Sequence, residues 1–342
     1  MAGKGTKCKI YTKSKPGSLD SSGVLVKELK EKTDNNNIKL PQYISFILEE
    51  HSTILLYIQE QIADNGKILN ALSKNMQGDN AAFEGWAIVL KAWCPDKASK
   101  VRLKWDVPSQ MTSNENSHYN RFCYRVVKML DAYEWFSIDE TNKDDIENFK
   151  KELKDLQNNC GNNKPEKKFK TDGGVGENAV EYDMVHEQDF SQKMCNKYSV
   201  DNIYHQLPVG VKKKGESFFA GTKAAIDLWG MRGNELTIIE LKYKNKMVGI
   251  ISELFFYLNV IRDIIKGDIA KPTDAIIDCE KELYMHINGI KYIHGRMLAD
   301  KYHPLIEKKE VFEILDNSTY KNIPIDYKKD IFKYTPSILE LV

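Results

Sequence analysis

AAIDLWGMRGNELTIIELKYK, residues 224–244, is the stretch that decides the fold of the C-terminal half of this chain. It holds two apolar runs, one around Asp227 and one around Glu240, and the polar MRGN segment between them is typical of a turn. Side chains alternate along a strand, so Glu240 and Lys242 are expected on one face of a hairpin. Asp227 is expected beside Glu240 on that face.

These ionisable side chains in apolar strands predict a catalytic site. Two carboxylates held close together are costly to bury unless a cation or a shared proton compensates them. Such oxygen ligands suit Mg²⁺ or Mn²⁺, and Lys242 is spaced to orient an attacking water or to neutralise charge on a phosphate. The set predicts phosphodiester hydrolysis. The alternative is that Asp, Glu and Lys lie on a solvent-facing edge, but the apolar residues on both strands favour a site.

The segment Gly249–Lys266 is apolar nearly all round and predicts a buried helix. Within it Glu253 and Tyr257 share one face, because they are four residues apart. A glutamate on so apolar a helix needs a partner. That partner is either part of the predicted site or a lysine in a purely structural salt bridge.

Taken together, Ile226-Asp227 and Glu240-Leu241-Lys242 resemble the PD-(D/E)XK nuclease superfamily over about residues 179–300. The segment Glu253-Leu-Phe-Phe-Tyr257-Leu resembles the Q-L-x-x-Y segment of its RecB-type exonuclease branch, with Glu in place of Gln. The resemblance implies an α/β, restriction-endonuclease-like mixed sheet flanked by helices.

The resemblance also implies roles for individual residues. Asp227, Glu240 and the Leu241 carbonyl would bind the metal ion, and Lys242 would be the catalytic lysine. Glu253 and Tyr257 would line the site. Members of the superfamily often add a carboxylate from the helix before the first strand; Glu187 is the first candidate here, with Glu181 behind it.

Basic residues near the predicted site are candidates for contacting a phosphate backbone. Two groups stand out, a predicted hairpin tip and the stretch after the second strand: Lys212, Lys213 and Lys214, and then Lys244 and Lys246. A lysine-rich turn is also typical of an ordinary solvent-exposed turn, so the second group has the stronger claim.

The rest of the chain divides by composition. Residues 1–38 predict a flexible basic tail with a short helix near residues 24–31. Residues 39–156 predict a mainly helical α+β domain for targeting, gating or assembly, residues 157–178 a linker, and residues 179–342 the nuclease domain. Within these parts we expect helices at residues 41–62, 118–136, 143–156 and 179–197 and strands at residues 86–90, 101–107, 203–212 and 291–298.

The bulk properties exclude several classes of protein. The 342 residues carry a formal net charge of +1, lack a run of 18 apolar residues, and contain neither C-x-x-C nor H-E-x-x-H. We therefore expect a cytoplasmic protein that does not enter a membrane. The resemblance to the nuclease superfamily implies a nucleic-acid partner, DNA before RNA, and a role in restriction, phage defence or repair. Two alternatives stay open: a non-catalytic nucleic-acid-binding or assembly protein, and a nuclease subunit that acts only with a partner or signal. Assembly with further copies of the chain is also open.

Overall fold

A computed structural model describes residues 10–12, 20–63, 68–69, 71–73, 76, 78–159, 167–168, 174–219, 224–272, 278–320 and 322–342. Within these ranges, no helix is long and apolar enough to cross a membrane.

The first part of the chain alternates short strands with helices. Its elements are β1 (Ile10–Thr12), α1 (Ser22–Thr33), β2 (Ile44–Glu49), β3 (Thr53–Ile58), β4 (Gln61–Ala63), β5 (Ile68–Leu69), α2 (Phe83–Trp93), β6 (Lys100–Trp105), α3 (Ser113–Ala132), β7 (Phe136–Ile138), α4 (Lys143–Glu152) and β8 (Leu156–Asn158). Four of these strands form a sheet in the order β2-β3-β6-β7, in which β3, β6 and β7 run parallel.

The second part is built around a larger sheet. Its elements are α5 (Glu177–His186), α6 (Gln188–Tyr198), β9 (Tyr204–Pro208), β10 (Val211–Lys213), β11 (Glu216–Phe219), β12 (Ala225–Arg232), β13 (Glu235–Lys242), α7 (Gly249–Lys266), β14 (Ile269–Ala270), α8 (Asp278–His286), β15 (Tyr292–Ala299), α9 (Lys309–Asp316), β16 (Ile325–Thr335) and β17 (Ile338–Leu341). The six-stranded sheet has the order β17-β16-β15-β13-β12-β9.

This sheet is mixed and has helices on both faces. Strands β12 and β13 are antiparallel, whereas β13, β15 and β16 run parallel. Helix α7 packs on the face that carries Trp229 and Ile238, and helices α5 and α6 cover the face that carries Leu228 and Ile239. The fold is therefore mixed α/β, and the hairpin β12–β13 lies at its centre between two helical layers.

The central hairpin is the one that the sequence predicts. Leu228 pairs with Ile239 and Arg232 with Glu235, and Gly233 in the turn has a φ of 60°. A positive φ is accessible to glycine without steric cost, which explains its place in this tight turn.

Two predictions for the first part are wrong. Residues 41–62, expected as one helix, form the antiparallel hairpin β2–β3, and His51 and Ser52 at its tip have φ of 57° and 54°. Residues 86–90, expected as a strand, lie in α2, which is buried on nearly all sides. The strand predicted at residues 101–107 is confirmed as β6, and the helices at 118–136 and 143–156 as α3 and α4, with different ends.

In the second part, helix α7 and strand β15 are confirmed, while other ends differ. The helix expected over residues 179–197 is two helices that meet at Glu187, which has φ −81° and ψ 118°. The strand expected over residues 203–212 divides into β9 and β10, which join different sheets. The polar C-terminal residues form the strands β16 and β17.

The proposed division into domains stays a prediction, and much of the range 157–178 lies outside the described residues. Where the chain is described, the two halves pack closely. Strand β8 pairs with both β10 and β14, and one apolar core runs from Leu25 to Tyr327. The short helix expected near residues 24–31 is confirmed as α1, which buries Leu25 and Leu29.

Candidate active site

The hairpin β12–β13 brings the two predicted carboxylates face to face. Leu228 pairs with Ile239, so the register places Asp227 opposite Glu240 on the face that α7 covers. The Asp227 carboxylate is fixed by the next residue of the partner strand, since its Oδ2 accepts the Leu241 backbone N–H at 2.8 Å. Glu240 is buried, whereas Asp227 is partly exposed. Asp227 therefore forms the accessible side of the pair.

Lys242 lies at the centre of a cluster of carboxylates. Its ammonium donates to Glu240 on the same strand and lies 3.1 Å from Glu253 Oε2 on helix α7. The carboxylate of Glu177, at the start of α5, lies 3.9 Å away and also accepts the Tyr243 backbone N–H at 2.8 Å. Three separate elements thus supply the carboxylates that surround one buried lysine.

The electrostatics of the cluster follow from burial and charge. Burial raises the pKa of Asp227 to about 7, and Glu177 and Glu253 push it in the same direction while Lys242 opposes them. Burial also raises the pKa of Glu240 well above its usual range, with the Asp227 charge adding to it. Burial alone would lower the pKa of Lys242, but the carboxylates around it outweigh this and hold it well above its ordinary value. The lysine therefore stays charged, whereas Asp227 and Glu240 hold their protons more tightly than exposed carboxyl groups do.

Two buried carboxylate oxygens at this point have no hydrogen-bond partner, Glu240 Oε2 and Glu253 Oε1. Unsatisfied buried oxygens are rare and point to an absent ion or water. Among the described residues, however, no three His, Cys, Asp or Glu side chains group closely enough to hold a metal ion. The residues thus fit a divalent ion bound by two carboxylates, a main-chain carbonyl and water, as Mg²⁺ accepts. They do not fit a cage of three carboxylates.

Of the two carboxylates predicted from the helix before the first strand, the structure brings Glu181 to the cluster but not Glu187, and it adds Glu177. Glu187 follows the last residue of α5; its side chain is half exposed and lies 4.0 Å from Lys167. The structure therefore does not bring Glu187 into the cluster. The residues of α5 that reach the cluster are Glu177 and Glu181, which are four residues apart on one face of the helix.

The side chain of Glu181 is more buried than that of Glu177. Its Oε1 accepts the side-chain amide of Gln206 at 2.7 Å. Burial raises the pKa of Glu181 to about 9, and the Asp227 charge adds to this shift. Sequence reasoning ranked Glu181 below Glu187 and missed Glu177. The signal that could have found both is their i, i+4 spacing before the first strand.

Tyr257 lies where the spacing on α7 predicts, on the same face as Glu253. It is buried, and burial together with the charges of Glu240, Glu253 and Asp227 raises its pKa well above the ordinary value. Its hydroxyl therefore stays protonated and neutral.

The predicted nucleic-acid-binding lysines separate into two groups. Lys212, Lys213 and Lys214 belong to the hairpin β10–β11 in a different sheet, and the Lys213 ammonium is engaged by Glu152 at 2.7 Å. Lys244 and Lys246 are exposed and directly follow β13. The second group has the shorter chain connection to the carboxylate cluster.

Comparison with known proteins adds no relative: no protein-family model, no curated protein and no solved structure matches this chain significantly.

Proposed function

We propose that the chain is a Mg²⁺-dependent nuclease of the PD-(D/E)XK type that hydrolyses phosphodiester bonds of DNA. The observation that carries the proposal is the facing pair Asp227 and Glu240, with Lys242 two residues further along the same strand. The unpartnered oxygens of Glu240 and Glu253 support it, because a cation would satisfy buried negative charge there. The order helix, strands β9, β12 and β13, helix α7 and strand β15 supports a restriction-endonuclease-like core.

Each residue has a role in this proposal. Asp227, Glu240 and the Leu241 carbonyl would hold Mg²⁺, or Mn²⁺ in its place, and the bound ion would supply a water of lowered pKa. The Lys242 ammonium would orient that water and neutralise charge on the phosphate. Glu253 holds Lys242 from the helix side at 3.1 Å. Tyr257 would line the site with a neutral, protonated hydroxyl.

The test is a cleavage assay of the full chain on supercoiled plasmid, linear duplex, single-stranded DNA and RNA. Each substrate is incubated with Mg²⁺, Mn²⁺ or EDTA. We expect metal-dependent cleavage of at least one DNA substrate that Asp227→Asn and Glu240→Gln abolish.

The matched control is Asp183→Asn. Asp183 is as buried as Glu240, but its partners are Tyr334 at 2.5 Å and Lys167 at 2.6 Å. This variant is expected to keep its activity. Cleavage that survives both Asp227→Asn and Glu240→Gln, or that persists in EDTA, would refute the proposal.

A second candidate is a nuclease that needs an activating partner or signal. It is favoured by the burial of the site, since Glu240, Lys242 and Glu253 are each no more than 6% exposed. A substrate phosphate could then reach Lys242 only after the surrounding helices shift. Wild-type protein that is inert alone, and that cleaves on addition of an extract of its host while Asp227→Asn does not, would identify this case.

A further inference from the structure

Two histidines from different elements meet outside the carboxylate cluster. His186 is the last residue of helix α5, and His205 lies on β9, the edge strand of the six-stranded sheet. Their Nε2 atoms are 3.2 Å apart, and the planes of the two rings make an angle of 67°. The proposed reaction uses neither histidine.

The position of His205 follows from the register of β9. His205 pairs with Leu228, whose side chain lies on the sheet face that α5 and α6 cover. Cross-strand partners project to the same face of a sheet, so His205 faces α5. On that helix the ring of His186 packs against the ring of Tyr182, one turn earlier, at a centroid distance of 4.2 Å. The fold therefore brings both imidazoles to one point.

The separation of the two nitrogens suits a shared metal ion. A tetrahedral ion about 2.1 Å from each nitrogen would place them about 3.4 Å apart, and right-angled coordination would place them about 3.0 Å apart. The observed 3.2 Å lies between these values. Imidazole nitrogen is a ligand that Zn²⁺, Cu²⁺ and Ni²⁺ favour, whereas Mg²⁺ prefers oxygen.

A hydrogen bond between the two rings is the alternative explanation, and it leaves a polar atom unsatisfied. It would use Nε2 of His205, while Nδ1 of the same ring is buried without a hydrogen-bond partner among the described residues. The cost of burying an unpaired nitrogen is at least as large as the net gain from one neutral hydrogen bond. A metal–nitrogen bond at Nε2 would supply the missing stabilisation. Burial and the neighbouring His186 lower the pKa of His205 to about 4, so its ring is neutral, as a metal ligand must be.

We propose that His186 and His205 form a second metal site of this protein, which takes a borderline divalent ion of the zinc type and joins the end of α5 to β9. Among the described residues no third His, Cys, Asp or Glu side chain groups with them, so water would fill the remaining coordination positions. The site differs from the carboxylate cluster, because it offers nitrogen where the cluster offers oxygen. It does not depend on the proposed nuclease activity.

An ion bound here would add a second link between α5 and β9. The first link is the hydrogen bond from the side-chain amide of Gln206 to Glu181 at 2.7 Å. Gln206 directly follows His205 on the strand, and Glu181 lies five residues before His186 on the helix. The ion would therefore hold α5 against the edge strand next to residues that reach the candidate active site. It would also stabilise the folded chain, since the unfolded chain does not hold the two histidines together.

The first test is calorimetric titration of Zn²⁺ into the tag-free full chain, after EDTA treatment and in the presence of excess Mg²⁺ to occupy the carboxylate cluster. We expect one Zn²⁺ per chain, with affinity about 10-fold or more weaker in His186→Gln and in His205→Gln. The matched control is His118→Gln, which removes a ring whose Nδ1 lies 2.8 Å from Arg121 and should leave binding unchanged. A wild type that binds no Zn²⁺, or variants that bind it as tightly as the wild type, would overturn the proposal.

The second test identifies the ligands and checks the folded state. His186 is exposed, so His186→Gln is expected to fold, and its metal-free thermal midpoint should match that of the wild type. Zn²⁺ should raise the midpoint of the wild type but not that of His186→Gln. With Cu²⁺ as the probe, electron paramagnetic resonance should show two coupled imidazole nitrogens in the wild type and one in the variant. An equal rise in midpoint, or the same nitrogen couplings in both proteins, would contradict a shared site.

Discussion

The Lys242 ammonium lies 3.1 Å from the Glu253 carboxylate, and this contact joins the central hairpin to the helix that covers it. Both side chains are buried, and Lys242 also donates to Glu240. A buried ion pair is weak support for stability, yet removing one partner is strongly destabilising, because the other charge stays buried. Lys242 is thus a structural anchor as well as the proposed catalytic lysine.

Replacement of Lys242 by Met is expected to destabilise the protein by about 3 kcal/mol at pH 8 and to reduce cleavage on the order of 100-fold. The loss of stability should be smaller at pH 5, because burial raises the pKa of Glu240 well above its usual range, so that Glu240 then holds a proton and no longer needs a cation. Urea unfolding at both pH values measures this. Lys266→Met, which breaks an exposed pair with Asp268, serves as the control and should change little. An equal loss at both pH values would contradict the electrostatic explanation.

Asp227→Asn is expected to abolish cleavage and yet to stabilise the metal-free protein at alkaline pH. The pKa of Asp227 is raised to about 7 from an ordinary value of 3.8, so the folded state binds the proton more tightly than the unfolded state. The wild type therefore loses stability as pH rises from about 4 to about 7. Asn removes this loss and its amide oxygen still accepts the Leu241 N–H. Because Asp227 is partly exposed, the gain should be on the order of 1 kcal/mol at pH 8 and absent at pH 4. A variant less stable than wild type at pH 8 would contradict this.

Binding of Mn²⁺ is expected to strengthen as pH rises from 5.5 to about 7. Below pH 7 the metal-free protein keeps a proton on Asp227, and a metal ligand must lose it. The affinity should change by at most about tenfold for each pH unit in this range. Isothermal titration calorimetry in buffers of different ionisation enthalpy measures both the affinity and the released proton. A wild-type affinity that is the same at pH 5.5 and 7.5 would exclude Asp227 as a ligand.

The two exposed lysines after β13 are expected to contribute to nucleic-acid binding through phosphate contacts. Replacing Lys244 and Lys246 by Ala in the Asp227→Asn background, where cleavage is absent, should weaken binding at low salt. Each lysine that contacts a phosphate should reduce the slope of log K against log salt by about 0.9 for duplex DNA. Lys27→Ala, an exposed lysine on α1, is the matched control. Fluorescence anisotropy over a series of salt concentrations gives the slopes, and equal slopes would remove these residues from the interface.

Substitution of Gly85 by Ala is expected to destabilise the protein by about 1–3 kcal/mol, because the added Cβ would meet the Val248 side chain and main chain at 2.8 Å. Gly23→Ala, where no atom lies within 4 Å of the added Cβ, should be neutral or slightly stabilising in its helix. Thermal unfolding of the two variants under the same conditions makes the comparison. Equal stability of both would show that α2 and α7 are not in close contact.

The central hairpin and the helix after it could be predicted because local signals and tertiary packing agree there. Polar turn residues, alternation along the strands and an apolar helix all fall within residues 224–266, so each prediction needed only neighbouring residues. The same agreement placed Asp227, Glu240, Lys242 and Glu253 together. Their arrangement around Lys242 required the actual register, which the structure supplies.

Two elements of the first half, β3 and α2, were assigned the wrong secondary structure from the sequence, each for a physical reason. In β3, three successive residues, Ile54, Leu55 and Leu56, are buried, so the strand has no alternation and its apolar spacing imitates a helix. In α2, a short apolar run is buried on nearly all sides, so it has no polar face to show a helical period. Short apolar runs of this kind cannot be assigned without knowledge of what packs against them.

The acidic helix before β9 was misjudged for a different reason. A single helix over residues 179–197 would place Glu187 and Glu181 on the same helix. Instead, α5 ends at Glu187, and the Glu187 side chain lies near Lys167. No capping residue in the sequence predicts this helix end, and no side-chain hydrogen bond caps α6, the helix that follows it.

Strand β8 has a consequence for how the protein is made. Leu156 pairs with Lys213 on one side and with Ile269 on the other. Both strands that neighbour β8 are therefore synthesised much later than β8 itself. The apolar and charged faces of helices α2 and α3 are likewise covered only after α7 has been synthesised. Until then the nascent chain exposes surface that favours aggregation, and long-range pairing of this kind folds slowly. Fragments that stop near residue 159 should therefore depend on chaperones and resist purification, and transplanting either half onto another protein should fail for the same reason.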